Sequence, residues 1–276
     1  MAQHDYDIQN DTGANVRADI NNVLSAIATN NSGNSNPSTT FAHQFFANNS
    51  TGNMRIRNAG NSDFIDIFTL TGGPAFEVDG TINSVNIGKG ANSIAGNTVL
   101  GELALDASVS GGNNTAIGKK ALTALSSGNN NTAVGLEALQ TISTASSNTA
   151  CGSGALKLND SGASNTAVGA FALDANDTGS FNTAIGTATL GANTSGSNNV
   201  AIGRQALDAN TTADDNIAIG VGALGVNETG TANVAVGKNA LDGNTTADNN
   251  TAVGHNALTT NSTGVNNVAV GSNSLD

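Results

Sequence analysis

The chain has no Trp, one Tyr, one Cys and two Pro in 276 residues, and charged side chains make up only 11%, against roughly 25% in ordinary soluble domains. Each shortage excludes something. A single cysteine, Cys151, rules out an intrachain disulfide and any cysteine-based zinc site, and leaves the redox compartment open. Nine scattered Lys and Arg within a net charge of −12 argue against nucleic acid and anionic membranes as partners, because phosphate binding needs clustered basic side chains. Six of the eight Phe precede residue 77. An aromatic core therefore cannot hold the remainder, which must use Ala, Val, Ile, Leu and Thr. No stretch approaches the roughly 18 apolar residues of a spanning helix. The opening Met1-Ala2-Gln3-His4-Asp5-Tyr6 has neither the basic nor the apolar region of a secretion signal. The expectation is a soluble chain that does not insert into membranes.

Asn and Gly fill the gap, with 43 and 34 copies. Their excess would suit disorder, but their placement does not. Gly101, Gly118, Gly135, Gly152, Gly169, Gly186, Gly203, Gly220, Gly237, Gly254 and Gly271 occupy every seventeenth position without a break. Asn stands four positions before each, from Asn97 to Asn267, and Leu four positions after, from Leu105 to Leu275. A disordered tract has no reason to keep such a register, so this is a folded repeat.

In one unit, Asn165-Thr166-Ala167-Val168-Gly169-Ala170-Phe171-Ala172-Leu173, alternation sends Thr166 and Val168 to one side of an extended segment and Ala167 to the other. The Thr166 slot is β-branched in every copy, as strands prefer. No window of the repeat has the 3.6-residue spacing of a helix. A unit of this length fits one coil of a β-solenoid with two short strands and two turns. One coil cannot bury enough to stand alone, so neighbouring coils and other chains are expected to contribute. The two-sided strand gives a Val/Ile/Leu core and a flat Ala face where an identical chain packs coil for coil.

The string Asn-Thr-Ala-Val-Gly-x-x-Ala-Leu, as in 131–139, 165–173 and 250–258, resembles the head repeats of trimeric autotransporter adhesins and related phage tail fibres. The resemblance covers about residues 83–276 and implies a left-handed parallel β-roll with three chains around one axis. The unit departs from the adhesin repeat by a longer polar turn, and the expectation is a chain without the export signal and membrane anchor of that family. The segments 41–46, 54–58 and 63–67 are similar to N-terminal regions of phage tail fibres, with Phe64 where such fibres often carry Trp. That likeness assigns residues 1–75 to attachment on the virion.

The expected organisation is as follows. Residues 1–37 form an N-terminal helix and linker for attachment or trimerisation. The helix spans 14–29, where Val16, Ile20, Val23, Leu24 and Ile27 make one apolar stripe, and 30–37 is a polar linker. Residues 38–75 form a small β-meander with strands near 40–46, 54–57 and 64–70. Residues 76–96 form an irregular first coil that caps the stack, and 97–276 form eleven 17-residue repeats.

No catalytic, cofactor or metal site is expected. Cys151 takes an apolar slot and reads as a small buried hydrophobe. His4, His43 and His255 have no ligand-like neighbours. Asn159, Asn176, Asn193, Asn210, Asn227, Asn244 and Asn261 begin Asn-x-Ser/Thr patterns, which read as glycosylation acceptors or as one Asx-type turn repeated with the coil. Asp208, Asp214, Asp215, Asp242 and Asp248 could form calcium-binding edges. Residues 203–236 and 237–270 match at 21 of 34 positions, so duplication explains their recurrence without function.

A glycan depolymerase would need a unique carboxylate pair and aromatic platforms, and an ice-binding solenoid would need Thr-x-Thr rows. The sequence offers neither. The expectation is therefore a non-enzymatic homotrimeric virion fibre, with a bacterial surface adhesin head as the alternative. Its partners would be virion tail or baseplate proteins at the N-terminal region and a glycan or protein on the host surface. A chain ending at Leu275-Asp276 directly after a full motif would be covered by another fibre protein, or would have lost a C-terminal assembly segment.

Overall fold

The computed structural model describes residues 32–33, 45–48, 53–57, 64–69, 80–82, 85–90, 92 and 94–275. The helix expected at 14–29 lies outside them. The chain divides into two compact units, Met1–Val78 and Asp79–Asp276.

In the first unit, β1 (Ser32–Gly33), β2 (Phe45–Asn48), β3 (Asn53–Arg57) and β4 (Phe64–Thr69) form one sheet in chain order. The last three pair antiparallel, with a register shift between Met54 and Arg55, and β1 adds parallel to β2. The polar linker thus contributes a short strand to the meander.

The second unit opens with a hairpin, β5 (Gly80–Ile82) against β6 (Val85–Gly88), and β6 pairs antiparallel with β7 (Thr98–Gly101). From there the chain coils. Ten short strands, β8 (Thr115–Ile117) to β17 (Val268–Val270), recur once per repeat and stack parallel on β7. Each residue pairs with its equivalent one coil on, as in Thr166↔Thr183, Ala167↔Ala184 and Val168↔Ile185. This is a parallel β-solenoid.

Each coil has one strand, not the two expected. Past the strand, Gly169 takes φ 136°, and Phe171 and Leu173 take φ 56° and 52°. These left-handed residues bend the chain yet keep backbone groups pointing along the axis. Leu173 N–H therefore donates to Thr189 C=O at 3.0 Å and Gly169 N–H to Cys151 C=O at 2.8 Å. The hydrogen-bond ladder continues without a second strand. Gly is required at the strand's end: a Cβ on Gly169 would collide with the carbonyl oxygen of Gly186.

Leu is buried as expected, but the two faces of the strand are the reverse of the expected ones. The Ala column, from Ala116 to Ala269, is buried together with the Leu column from Leu105 to Leu258. Thr166 is half-buried and Val168 exposed on the other side of the strand. The Ala methyl groups and the Leu side chains lie in one buried cluster along the stack. Val stands at the Ala position in the first strand of the parallel stack, where Val99 is buried in register with Ala116, and Ala holds it in the ten strands that follow.

Two buried Asn ladders complete the core. In the first, from Asn97 to Asn267, each Oδ1 accepts the backbone N–H of the next Asn. Asn199 N–H donates in this way to Asn182 at 3.0 Å, and Asn216 N–H to Asn199 at 3.0 Å. The amide Nδ2 donates to a backbone carbonyl, as from Asn199 to Ala213 at 2.8 Å. The second runs from Asn159 to Asn261, with Asn176 Nδ2 donating to Asn159 Oδ1 at 2.6 Å and to Gly179 C=O at 3.0 Å. In the coils before it, Leu125 and Ile142 fill the same place.

Candidate functional site

A solenoid presents its surface as columns, one residue per coil. Because alternation turns the Ala column inward, the two flanking strand columns face out. The first runs Thr98, Thr115, Thr132, Thr149, Thr166, Thr183, Val200, Ile217, Val234, Thr251, Val268. The second runs Leu100, Ile117, Val134, Cys151, Val168, Ile185, Ile202, Ile219, Val236, Val253, Val270. Every one of these residues is half-buried or exposed, and none is charged. In-register parallel pairing lays them side by side along the whole stack. The result is a continuous uncharged face, rich in aliphatic groups, on which large side chains such as Val168, Ile185, Ile202 and Ile219 remain exposed. Exposed apolar surface of this extent marks an interaction site.

Cys151 belongs to this face and is exposed, not the buried hydrophobe expected, since its whole column points outward. Two aromatics flank the face. Phe171 follows one strand, with its ring against Gly154 of the preceding coil, and Phe181 precedes the next. They are 51% and 64% exposed, enough to serve as contact anchors.

The acids do not assemble into a calcium site. Asp208 and Asp242 share a column with Asp174, and in the coils between them stand Gly191 and Gly225. The carboxylates lean over the glycines: a Cβ on Gly191 would lie 2.9 Å from Asp208 Oδ1 and 3.5 Å from Asp174 Oδ1. Asp208 also accepts the backbone N–H of Gly191, and Asp242 that of Gly225. Burial pushes all three carboxyls above the usual carboxylate range, against those hydrogen bonds.

Asp214 and Asp248 sit in another column and anchor the preceding coil. Asp214 accepts Ser197 N–H at 2.6 Å, and Asp248 accepts Thr231 N–H at 2.7 Å and its hydroxyl at 3.1 Å. Asp215 is exposed, with φ 61°. Among the described residues, no group of three or more His, Cys, Asp or Glu could hold a metal ion.

The seven Asn-x-Ser/Thr asparagines are the second ladder. Six of them are fully buried, and Asn261, in the last coil, is half-buried with its Nδ2 donating at 2.9 Å to Gly264. None offers a free amide for glycosylation in the folded chain. His255 is exposed, while His4 and His43 lie outside the described residues. The basic groups on the early coils pair with acids: Lys119 with Glu102 at 3.0 Å, and Lys157 and Lys120 with Glu137 at 2.9 and 3.8 Å. The Lys157 hydrogen bond holds the Glu137 carboxyl below its ordinary range. Among the described residues no helix is long and apolar enough to cross a membrane.

No protein family, curated protein or solved structure matches this chain. The strand face is its candidate site.

Proposed function

We propose that this chain is a structural fibre protein of a virus particle, a tail fibre or related appendage, built from three parallel copies around one axis. Each copy is read as a left-handed roll whose strand face turns toward the other two. The observation that carries this reading is that face. It is uncharged over the full stack, repeats at the coil spacing and bears exposed aliphatic side chains. Only a partner of the same pitch can cover it from end to end, and another copy of the chain has that pitch.

In this reading the shaft is about 50 Å long at roughly 4.8 Å per coil, and its mechanism is mechanical: it sets distance, resists bending and presents turns to a host surface. The segment 1–75 docks to virion tail or baseplate proteins. A host glycan or protein is the receptor. No enzymatic step and no cofactor is assigned. A bacterial adhesin head is the alternative, differing in its anchor rather than its shaft.

Light scattering tests the assembly, and a monomer would remove the fibre reading. Antibody labelling under the electron microscope tests the location: label on a viral tail supports the reading, and label on a bacterial envelope transfers it to the adhesin. The six successive outward threonines from Thr98 to Thr183 are the one feature that points toward ice binding, and the Thr-x-Thr rows that it needs are absent. Thermal hysteresis in cold solution would reveal it.

A further inference from the structure

We infer that the strand face selects copies of its own chain that run parallel and at one axial level, and that its first outward column makes the selection. The inference rests on the self-association proposed above and adds what determines its geometry. A face that repeats every coil can pair equally well at any one-coil shift. A shifted contact does not close on itself; it leaves unpaired coils at each end and propagates into an open filament. A fibre of defined size therefore needs something on the face that breaks the repeat.

The second outward column cannot do so. It is aliphatic from Leu100 to Val270, apart from Cys151. The first column is divided into blocks. Thr occupies it at 98, 115, 132, 149, 166 and 183, then Val200, Ile217 and Val234 follow, then Thr251 and Val268.

With copies parallel and level, hydroxyl-bearing coils meet hydroxyl-bearing coils, where threonines can hydrogen-bond each other. Aliphatic coils likewise meet aliphatic coils. An antiparallel pair centred on Thr183 would set Thr98 against Val268, Thr132 against Val234, Thr149 against Ile217 and Thr166 against Val200. A one-coil slip would mismatch Thr183 with Val200, Val234 with Thr251, and Thr251 with Val268. Each mismatch strips water from a hydroxyl and offers only methyl groups in return. Only the parallel, level arrangement avoids every one of them while covering all eleven coils, since an antiparallel overlap free of mismatch spans at most the six Thr coils from Thr98 to Thr183. The blocks thus act as a code for orientation and register, as like-with-unlike penalties do in other self-pairing surfaces.

The test uses the full chain with Cys151→Val, which removes the native thiol. Single cysteines at Thr178→Cys, Thr229→Cys or Thr263→Cys, all on an exposed column away from the strand face, carry spin labels for distance measurement between copies. Parallel, level copies give one distance shared by the three sites, together with a closed particle mass. Antiparallel copies would separate the Thr263→Cys labels by about 45 Å along the axis while leaving the Thr178→Cys labels nearly level, at roughly 4.8 Å per coil. That pattern would overturn the inference.

A second chain replaces Thr98, Thr115, Thr132, Thr149, Thr166, Thr183 and Thr251 with Val. The new side chains are isosteric, β-branched and more apolar, so folding and association persist, with circular dichroism as the check. The expected result is loss of the shared distance and growth past the closed mass. If this variant keeps both, the column does not encode register, although self-association stands. If the chain with the native column is monomeric, the fibre reading itself fails.

Discussion

Left-handed backbone recurs at fixed residues in every coil, and only some of those residues are glycines. Ala188 and Ala232 hold φ 51° and 54°, where an L side chain costs roughly 1–2 kcal/mol. Their Cβ atoms are not part of the buried core, so the coil gains little from them. Replacing either with Gly relieves the strain but gives the unfolded chain more freedom. The expected net gain is about 0.5–1 kcal/mol per site, read as a higher denaturation midpoint. Gly169→Ala should do the opposite. With φ 136° and the Gly186 carbonyl in the way of a Cβ, it should destabilise by about 2–4 kcal/mol. The spacing of these glycines makes the coil length readable from sequence, because each marks the same corner. The positive φ at Leu173 and its equivalents is not readable. Leu gives no sign of left-handed backbone, and its burial holds it there.

At the scale of the element, each strand is held between an Asn at its start and a Gly at its end. Asn199→Ala removes the Oδ1 that accepts Asn216 N–H and one of the two amides that donate to Ala213 C=O, which keeps Asn210 Nδ2, so one buried backbone N–H is left unpaired. At about 1–3 kcal/mol for an unpaired buried group, the expected loss is about 1–3 kcal/mol in a thermal or urea melt. The recurring Asn signals a turn in the sequence, but its part in a buried ladder exists only once the coils are stacked. The orientation of the strand is where expectation and structure part, for a simple reason. On a hydrophobicity scale Val and Ile outrank Ala as core residues, which predicts them inside. The better signal is tolerance of size. One strand position is Ala from Ala116 to Ala269, while its neighbours accept Thr, Val, Ile, Leu or Cys. A thin, close-packed interior demands constancy, and an open face permits exchange. Read that way, the sequence does contain the candidate site.

For the whole stack, the column of Asp174, Asp208 and Asp242 shows how side chains couple across coils. Burial raises these carboxyls in the folded state, so the native chain binds protons more tightly than the unfolded one. Stability should then rise as pH falls from neutral through the raised values, with the gain complete below the ordinary 3.8. Asn at all three positions keeps an oxygen acceptor and should flatten that dependence in melts at pH 7 and pH 4. The same column predicts how the solenoid tolerates shortening. Deleting residues 203–236 removes two coils and leaves Asp174, Gly191 and Asp242 in sequence along the column, so each carboxylate still leans over a glycine. Deleting residues 220–236 removes one coil, keeps every strand in register and sets Asp208 directly against Asp242. Two half-buried acids then sit roughly 4.8 Å apart without the glycine that made room for them. Although it loses less chain, the one-coil deletion should melt lower than the two-coil deletion at pH 7, and Asp208→Asn should restore it. Equal melting of the two deletions would mean that the alternation of Asp and Gly is only a trace of duplication. A lower value for the one-coil deletion would show that the functional repeat of this part of the stack is the double coil rather than the single one.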